Sequence, residues 1–125
     1  MRVDSELRAG VRVERDALMQ ALEFLRRSRA RAVRVSLSYD GRSILVDCDR
    51  CKTEVAAEGT WELLVTLRRT HFMALLRVAK FLPQTMEMVV ADSRLRVHTW
   101  LFETESILDA RHRMDIVTRK QRDEL

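Results

Sequence analysis

Between Trp61 and Leu101 the apolar positions change period twice. Leu63, Val65 and Leu67 alternate, which puts their side chains on one face of a strand. Phe72, Leu75, Leu76 and Ala79 then recur at the spacing of a helix's buried stripe. The helix is expected to stop at Leu82, because Pro83 has no N–H to donate and disfavours helical geometry in the residue before it. Met86, Met88 and Val90 alternate again, Asp92-Ser93 marks a turn, and Leu95, Val97 and Leu101 line a returning strand. The predicted order is strand, helix, strand, turn, strand.

The first half repeats that order. Val11 and Val13 alternate, Leu18, Ala21, Leu22 and Leu25 form a helical stripe, and Val33, Val35, Leu37 and Tyr39 form the next strand. Asp40-Gly41 turns the chain and Ile44 to Cys48 return. An offset of 54 places lays Val11 on Val65, Leu18 on Phe72 and Leu22 on Leu76; at the two turns the offset is 52, so the second helix-to-strand connection is shorter. This predicts an α+β domain over residues 1–110, built as a duplicated βαβββ unit with pseudo-repeats at about 1–60 and 61–110 and two helices packed on antiparallel sheets. The alternative is that such apolar spacing recurs by coincidence, as it can in any mixed αβ chain. Residues 111–125 read as a strand, helix or tail: His112, Met114 and Ile116 alternate, whereas Arg119 to Leu125 is highly charged.

With 125 residues, 46% of them hydrophobic, only three glycines and one proline, the chain can bury a core without disulfides or metal. Its apolar runs are too short and too interrupted by arginine to cross a bilayer, and Met1 to Gly10 lacks the apolar core of a signal peptide. No membrane association and a cytoplasmic location are therefore expected. The terminal Arg122-Asp123-Glu124-Leu125 resembles a retention signal that has meaning only inside the secretory pathway.

The net charge of +4 permits attraction to a polyanion without requiring it. Arg26, Arg27, Arg29, Arg31 and Arg34 fall within nine residues that contain no acid. Cations at a helix C-terminus complement its dipole, and the same cluster would also suit phosphates. Cys48 and Cys51 form CDRC at a hairpin, half of a tetrahedral zinc site at most, and His71, His98 and His112 are scattered. A zinc-binding regulator remains one reading of that pair, but reduced thiols are expected, with no metal and no cofactor. The chain has no Gly-rich phosphate loop, no GxSxG and no HExxH, so no catalytic residues are assigned and an enzyme is not expected.

Two tandem βαβββ copies, the phrase Val11-Arg12-Val13-Glu14-Arg15-Asp16-Ala17-Leu18-Met19-Gln20-Ala21-Leu22, and a helix ending Phe81-Leu82-Pro83 before Met86-Glu87-Met88-Val89-Val90 together resemble one domain of the DNA sliding clamps. The resemblance is one of pattern and extends to about Ala110. It implies six such domains in a ring, helices lining the hole and sheets forming the outer wall, with duplex DNA held without sequence preference and a polymerase or repair factor as protein partner. It also implies a head-to-tail homo-oligomer joined through edge strands, here Thr53 to Glu58 and Thr104 to Asp109, with Val55 and Ile107 at the interface.

A hole lined for phosphates should be basic. Opposite the first apolar stripe lie Asp16, Gln20, Glu23 and Arg27, and opposite the second Thr70, Ala74, Arg77 and Phe81, so the pair of helices is only weakly so. Arg27, Arg31, Arg69, Arg77 and Lys80 are the candidates for DNA backbone contacts. The competing reading is an adaptor of the same fold that binds protein through the helix surface and does not touch DNA.

Overall fold

The structure, a computed structural model, describes residues 9–28, 33–49 and 51–109. Arg29, Arg31 and the stretch 111–125, with His112, lie outside the described residues. The fold is α+β. In chain order it comprises β1 (Ala9–Glu14), α1 (Arg15–Arg27), β2 (Arg34–Tyr39), β3 (Ser43–Cys48), β4 (Cys51–Trp61), β5 (Leu63–Arg68), α2 (Arg69–Met73) and a 3-10 helix (Ala74–Phe81). Strands β6 (Thr85–Ala91), β7 (Arg94–Val97), β8 (Trp100–Glu103) and β9 (Ser106–Asp109) follow. Among the described residues nine antiparallel strands run in the order β8-β7-β6-β1-β4-β3-β2-β5-β9.

Alternation along the strands explains the core. Val11, Val13, Val35, Leu37, Ile44, Val46, Val65, Leu67, Met86, Met88, Leu95 and Val97 are buried, while their neighbours turn outward, as expected of an antiparallel sheet with one face covered. Leu18, Ala21, Leu22 and Leu25 of α1 and Phe72 and Leu75 of the second helical segment pack onto that face. Two expected strand residues fall elsewhere: Val33 precedes β2, and Leu101, 58% exposed, sits on β8.

The termini of α1 follow its sequence. Asp16 stands in the first turn and Arg26 and Arg27 in the last, each complementing the dipole. Leu25 O, one of the carbonyls a helix end leaves open, accepts from the Ser28 N–H (3.2 Å), the Ser28 hydroxyl (2.8 Å) and Arg69 Nη2 (2.8 Å). The second helical segment ends where Pro83 predicts, with Leu82 extended. It is mostly 3-10 rather than α. The steeper 3-10 rise carries eight residues about 4 Å farther than an α-helix would, which offsets the shorter link to β6.

Both expected turns are present. Asp40 Oδ1 accepts from the N–H groups of Arg42 and Ser43, each at 2.8 Å, and these bonds hold its carboxyl below the usual range. Asp92 and Ser93 both take positive φ, 54° and 62°, the signature of a type I′ hairpin turn. The pairing beyond the turns is reciprocal: β1 lies beside β6, and β5 lies beside β2. Strand β4 pairs with β3 over residues 51–56 and with β1 over 57–61, so it is much longer than the expected Thr53–Glu58. The expected last strand, Thr104–Asp109, begins two residues later, as β9 paired with β5; β8, paired with β7, precedes it and is separated from it by Thr104-Glu105.

Candidate functional site

The two helical segments run side by side in opposite directions. Near the start of α1, Arg15 donates from Nη1 to Leu82 O (3.1 Å) and from its backbone N–H to Gln84 O (2.7 Å). Near the other end, Arg69 donates to Leu25 O. Together they present one surface on the covered side of the sheet.

Of the five candidate phosphate ligands, Arg27, Arg77 and Lys80 are exposed on this surface. Among the described residues no carboxylate pairs with any of the three, whereas Arg26 is held by Glu23 at 2.7 Å and Arg15 by Asp16 at 3.2 Å. Lys80 Nζ stands 5.3 Å from the centre of the Phe81 ring. Arg69 is differently placed. It is half-buried, it closes the end of α1 through Leu25, and its Nε is buried without a hydrogen-bond partner. Arg31 lies outside the described residues.

Two phenyl rings share the surface. Phe81 is 68% exposed and Phe24 is 52% exposed. Phe24 lies with Met19, Gln20, Glu23 and Arg27 around a depression of about 370 Å3. Phe24 is absent from the residues the periodicity singles out; its signal in the sequence is an aromatic residue out of phase with the stripe Leu18, Ala21, Leu22 and Leu25. A larger cleft, about 570 Å3, opens where the end of α1 meets the start of α2, lined by Arg26, Arg69, Thr70, His71, Met73 and Arg77 among others.

The strand edges separate the two expected interface residues. Ala57 donates its N–H to Arg42 O (2.9 Å), toward β3. Peptide groups alternate sides along a strand, so those of Cys51, Thr53 and Val55 also face β3, and those of Lys52 and Glu54 face away, beyond the reach of β1. Val55 is 1% exposed and opposite Ile44. It therefore belongs to the core, and the open edge of β4 is presented by its neighbours. Ile107 is different: its partner Val65 aims its peptide groups at β2, so Ile107 presents its own on the outer side of β9. Leu101 and Glu103 do the same on β8.

Cys48 and Cys51 face one another directly across the β3–β4 hairpin, and both are buried and free. Burial pushes the Cys48 thiol up, and nearby Arg69 acts in the opposite direction. Among the described residues no group of three histidines, cysteines or acids is gathered to hold a metal ion, and no helix is long and apolar enough to cross a membrane. A scan of protein-family models gives no match to this chain, and searches of curated proteins and of solved structures give none either.

Proposed function

We propose that this chain is a non-enzymatic clamp-like domain that self-associates and holds duplex DNA by its backbone through the helix surface. The observation that carries this reading is the set of three exposed cations, Arg27 from α1 and Arg77 and Lys80 from the 3-10 helix, that lack carboxylate partners among the described residues. Cations in that state are free to replace condensed counterions on a phosphate backbone, which favours binding without reading sequence.

The clamp-like duplication is supported by the reciprocal strand pairing. Each half runs strand, helix, strand, strand, and its first strand lies beside the other half's second strand. The divided pairing of β4 with β3 and β1 has its counterpart in β8 with β7 and β9 with β5. Self-association is supported by the unpaired edge at Lys52 and Glu54 and by the edges at Leu101, Glu103 and Ile107. These surfaces differ, so copies joined through them add head to tail.

The experiment is a salt titration of duplex binding by fluorescence anisotropy, comparing the parent with Arg27→Glu/Arg77→Glu/Lys80→Glu. The parent should bind unrelated duplexes alike and weaken steeply with salt, and the triple variant should lose binding while remaining folded. Equal affinity in both proteins, or no binding by the parent at low salt, overturns the DNA reading.

Phe24 and Phe81 favour a second reading, an adaptor whose helix surface docks protein. Exposed rings add buried apolar area to a protein interface and have no base faces to meet on an intact duplex. Docking of that kind would persist at salt concentrations that release DNA.

A further inference from the structure

The cleft between the end of α1 and the start of α2 draws cations together without balancing them. Arg26, Arg69 and Arg77 all line its volume of about 570 Å3. Glu23 neutralises Arg26. The side chain of Arg69 meets two neutral groups, Leu25 O and the Cys48 thiol, and no carboxylate among the described residues. Cys48 supplies no anion to it: burial raises the thiol's pKa, so the sulfur stays protonated near neutral pH. Among the described residues Arg77 has no carboxylate either. Two guanidinium charges thus line one open, partly apolar cleft without a carboxylate partner among the described residues, a place that a bound anion would fill.

From this cleft we infer that the protein carries a binding site for a phosphate monoester. A dianion matches the two guanidiniums in charge: Arg77, exposed, can offer paired N–H donors to phosphate oxygens, while Arg69, with Nη2 on Leu25 O and Nε buried, adds its charge and its remaining Nη1. Thr70 adds a hydroxyl to the lining, and Met73 and Leu76 give it an apolar wall suited to the flat ring of a nucleoside attached to the phosphate. The chemistry has two possible sources, a free nucleotide or the phosphorylated end of a nucleic-acid strand. The site goes beyond the duplex reading, since a phosphodiester backbone offers single charges spread along a groove and not a terminal dianion. Only Arg77 is shared with the proposed duplex surface.

Calorimetric titration of the full chain tests it at constant ionic strength. The titrants are inorganic phosphate, a nucleoside, the corresponding nucleoside monophosphate, and one oligonucleotide with and without a terminal phosphate. The monophosphate should bind at least about ten-fold more tightly than the nucleoside, and Arg77→Ala should weaken it by about ten-fold, the scale of one charge-assisted hydrogen bond. Arg12→Ala removes the same charge from the sheet face turned away from the helices, and should leave the affinity unchanged. Preference for the phosphorylated oligonucleotide assigns the site to strand ends; binding of the monophosphate with no such preference assigns it to a free nucleotide. The inference falls if nucleoside and monophosphate bind equally, or if Arg12→Ala and Arg77→Ala weaken the monophosphate alike. Loss of duplex binding with monophosphate binding intact would remove the duplex reading alone.

Discussion

Arg34 and Arg68 stand directly opposite one another on β2 and β5, two like charges on neighbouring strands, and a single carboxylate, Glu105, bridges them. Like charges in that position repel. Glu105 pairs with the guanidinium of Arg34 and, at 3.3 Å, with Arg68 Nε, and its backbone N–H donates to Thr66 O (2.7 Å). The break between β8 and β9 is thereby fastened to β2 and β5, beside the β9 edge of the sheet.

Glu105→Gln should therefore lower the thermal midpoint at neutral pH. The hydrogen bond from Arg34 is the largest cause of the lowered pKa of Glu105, with further contributions from both arginine charges, so its folded value lies below the ordinary 4.5. A depressed carboxylate contributes stability above its unfolded pKa and loses it as pH falls through the folded one. The difference between parent and variant should be full at pH 7 and shrink below about pH 4.5, as followed by thermal melts across that range. A constant difference down to strongly acidic pH would mean that Glu105 acts through shape and not charge.

The buried stripes were legible because period alone fixes them: Val11 and Val13, Leu18 to Leu25, and Met86 and Met88 lie inside as their spacing predicts. The far half of β4 was not, since Glu58, Gly59 and Thr60 are all exposed and break the alternation while the backbone stays paired. Nor was the state of Val55. Which way a peptide group points depends on register with the neighbouring strand, and one residue's shift reverses it. The site was half legible. Charge and exposure mark Arg27, Arg77 and Lys80, but Arg69 looks the same in sequence and is committed to the end of α1.

Gly59 should tolerate no side chain. Its φ is +145°, and a Cβ there would lie 2.3 Å from Gly10 O and 2.8 Å from Val11 Cα, both backbone atoms of β1. Gly59 sits in the middle of the stretch of β4 paired with β1, so neither strand can yield without breaking that pairing. Gly59→Ala is expected to cost about 2–4 kcal/mol, combining backbone strain and overpacking. Chemical denaturation measures it, and a midpoint unchanged from the parent would refute the expectation.

Cys48 and Cys51 should be slow to react in the folded protein. Both are buried, and desolvation keeps the Cys48 thiol protonated, whereas the thiolate is the nucleophile. Alkylation by iodoacetamide near neutral pH, followed by mass spectrometry, should label neither until denaturant is added. Rapid modification of Cys48 in the native protein would show that Arg69 outweighs burial.

Proline substitutions distinguish the open edge of β4 from its interior. The N–H of Glu54 faces away from β3 and that of Ile107 faces the outer side of β9, so proline at either site removes no bond within the monomer. The N–H of Val55 faces Ile44, and its side chain is in the core. Val55→Pro should therefore destabilise the fold itself, by about 3 kcal/mol or more. Glu54→Pro and Ile107→Pro should instead leave far-ultraviolet dichroism and the thermal midpoint close to the parent while lowering the solution mass measured by light scattering. Because a head-to-tail contact uses one surface from each copy, either substitution alone should suffice, and a mixture of the two variants should recover only the pairing between their intact edges, no larger than a dimer. A parent that is monomeric at micromolar concentration, or edge variants that assemble as the parent does, would remove self-association through these strands.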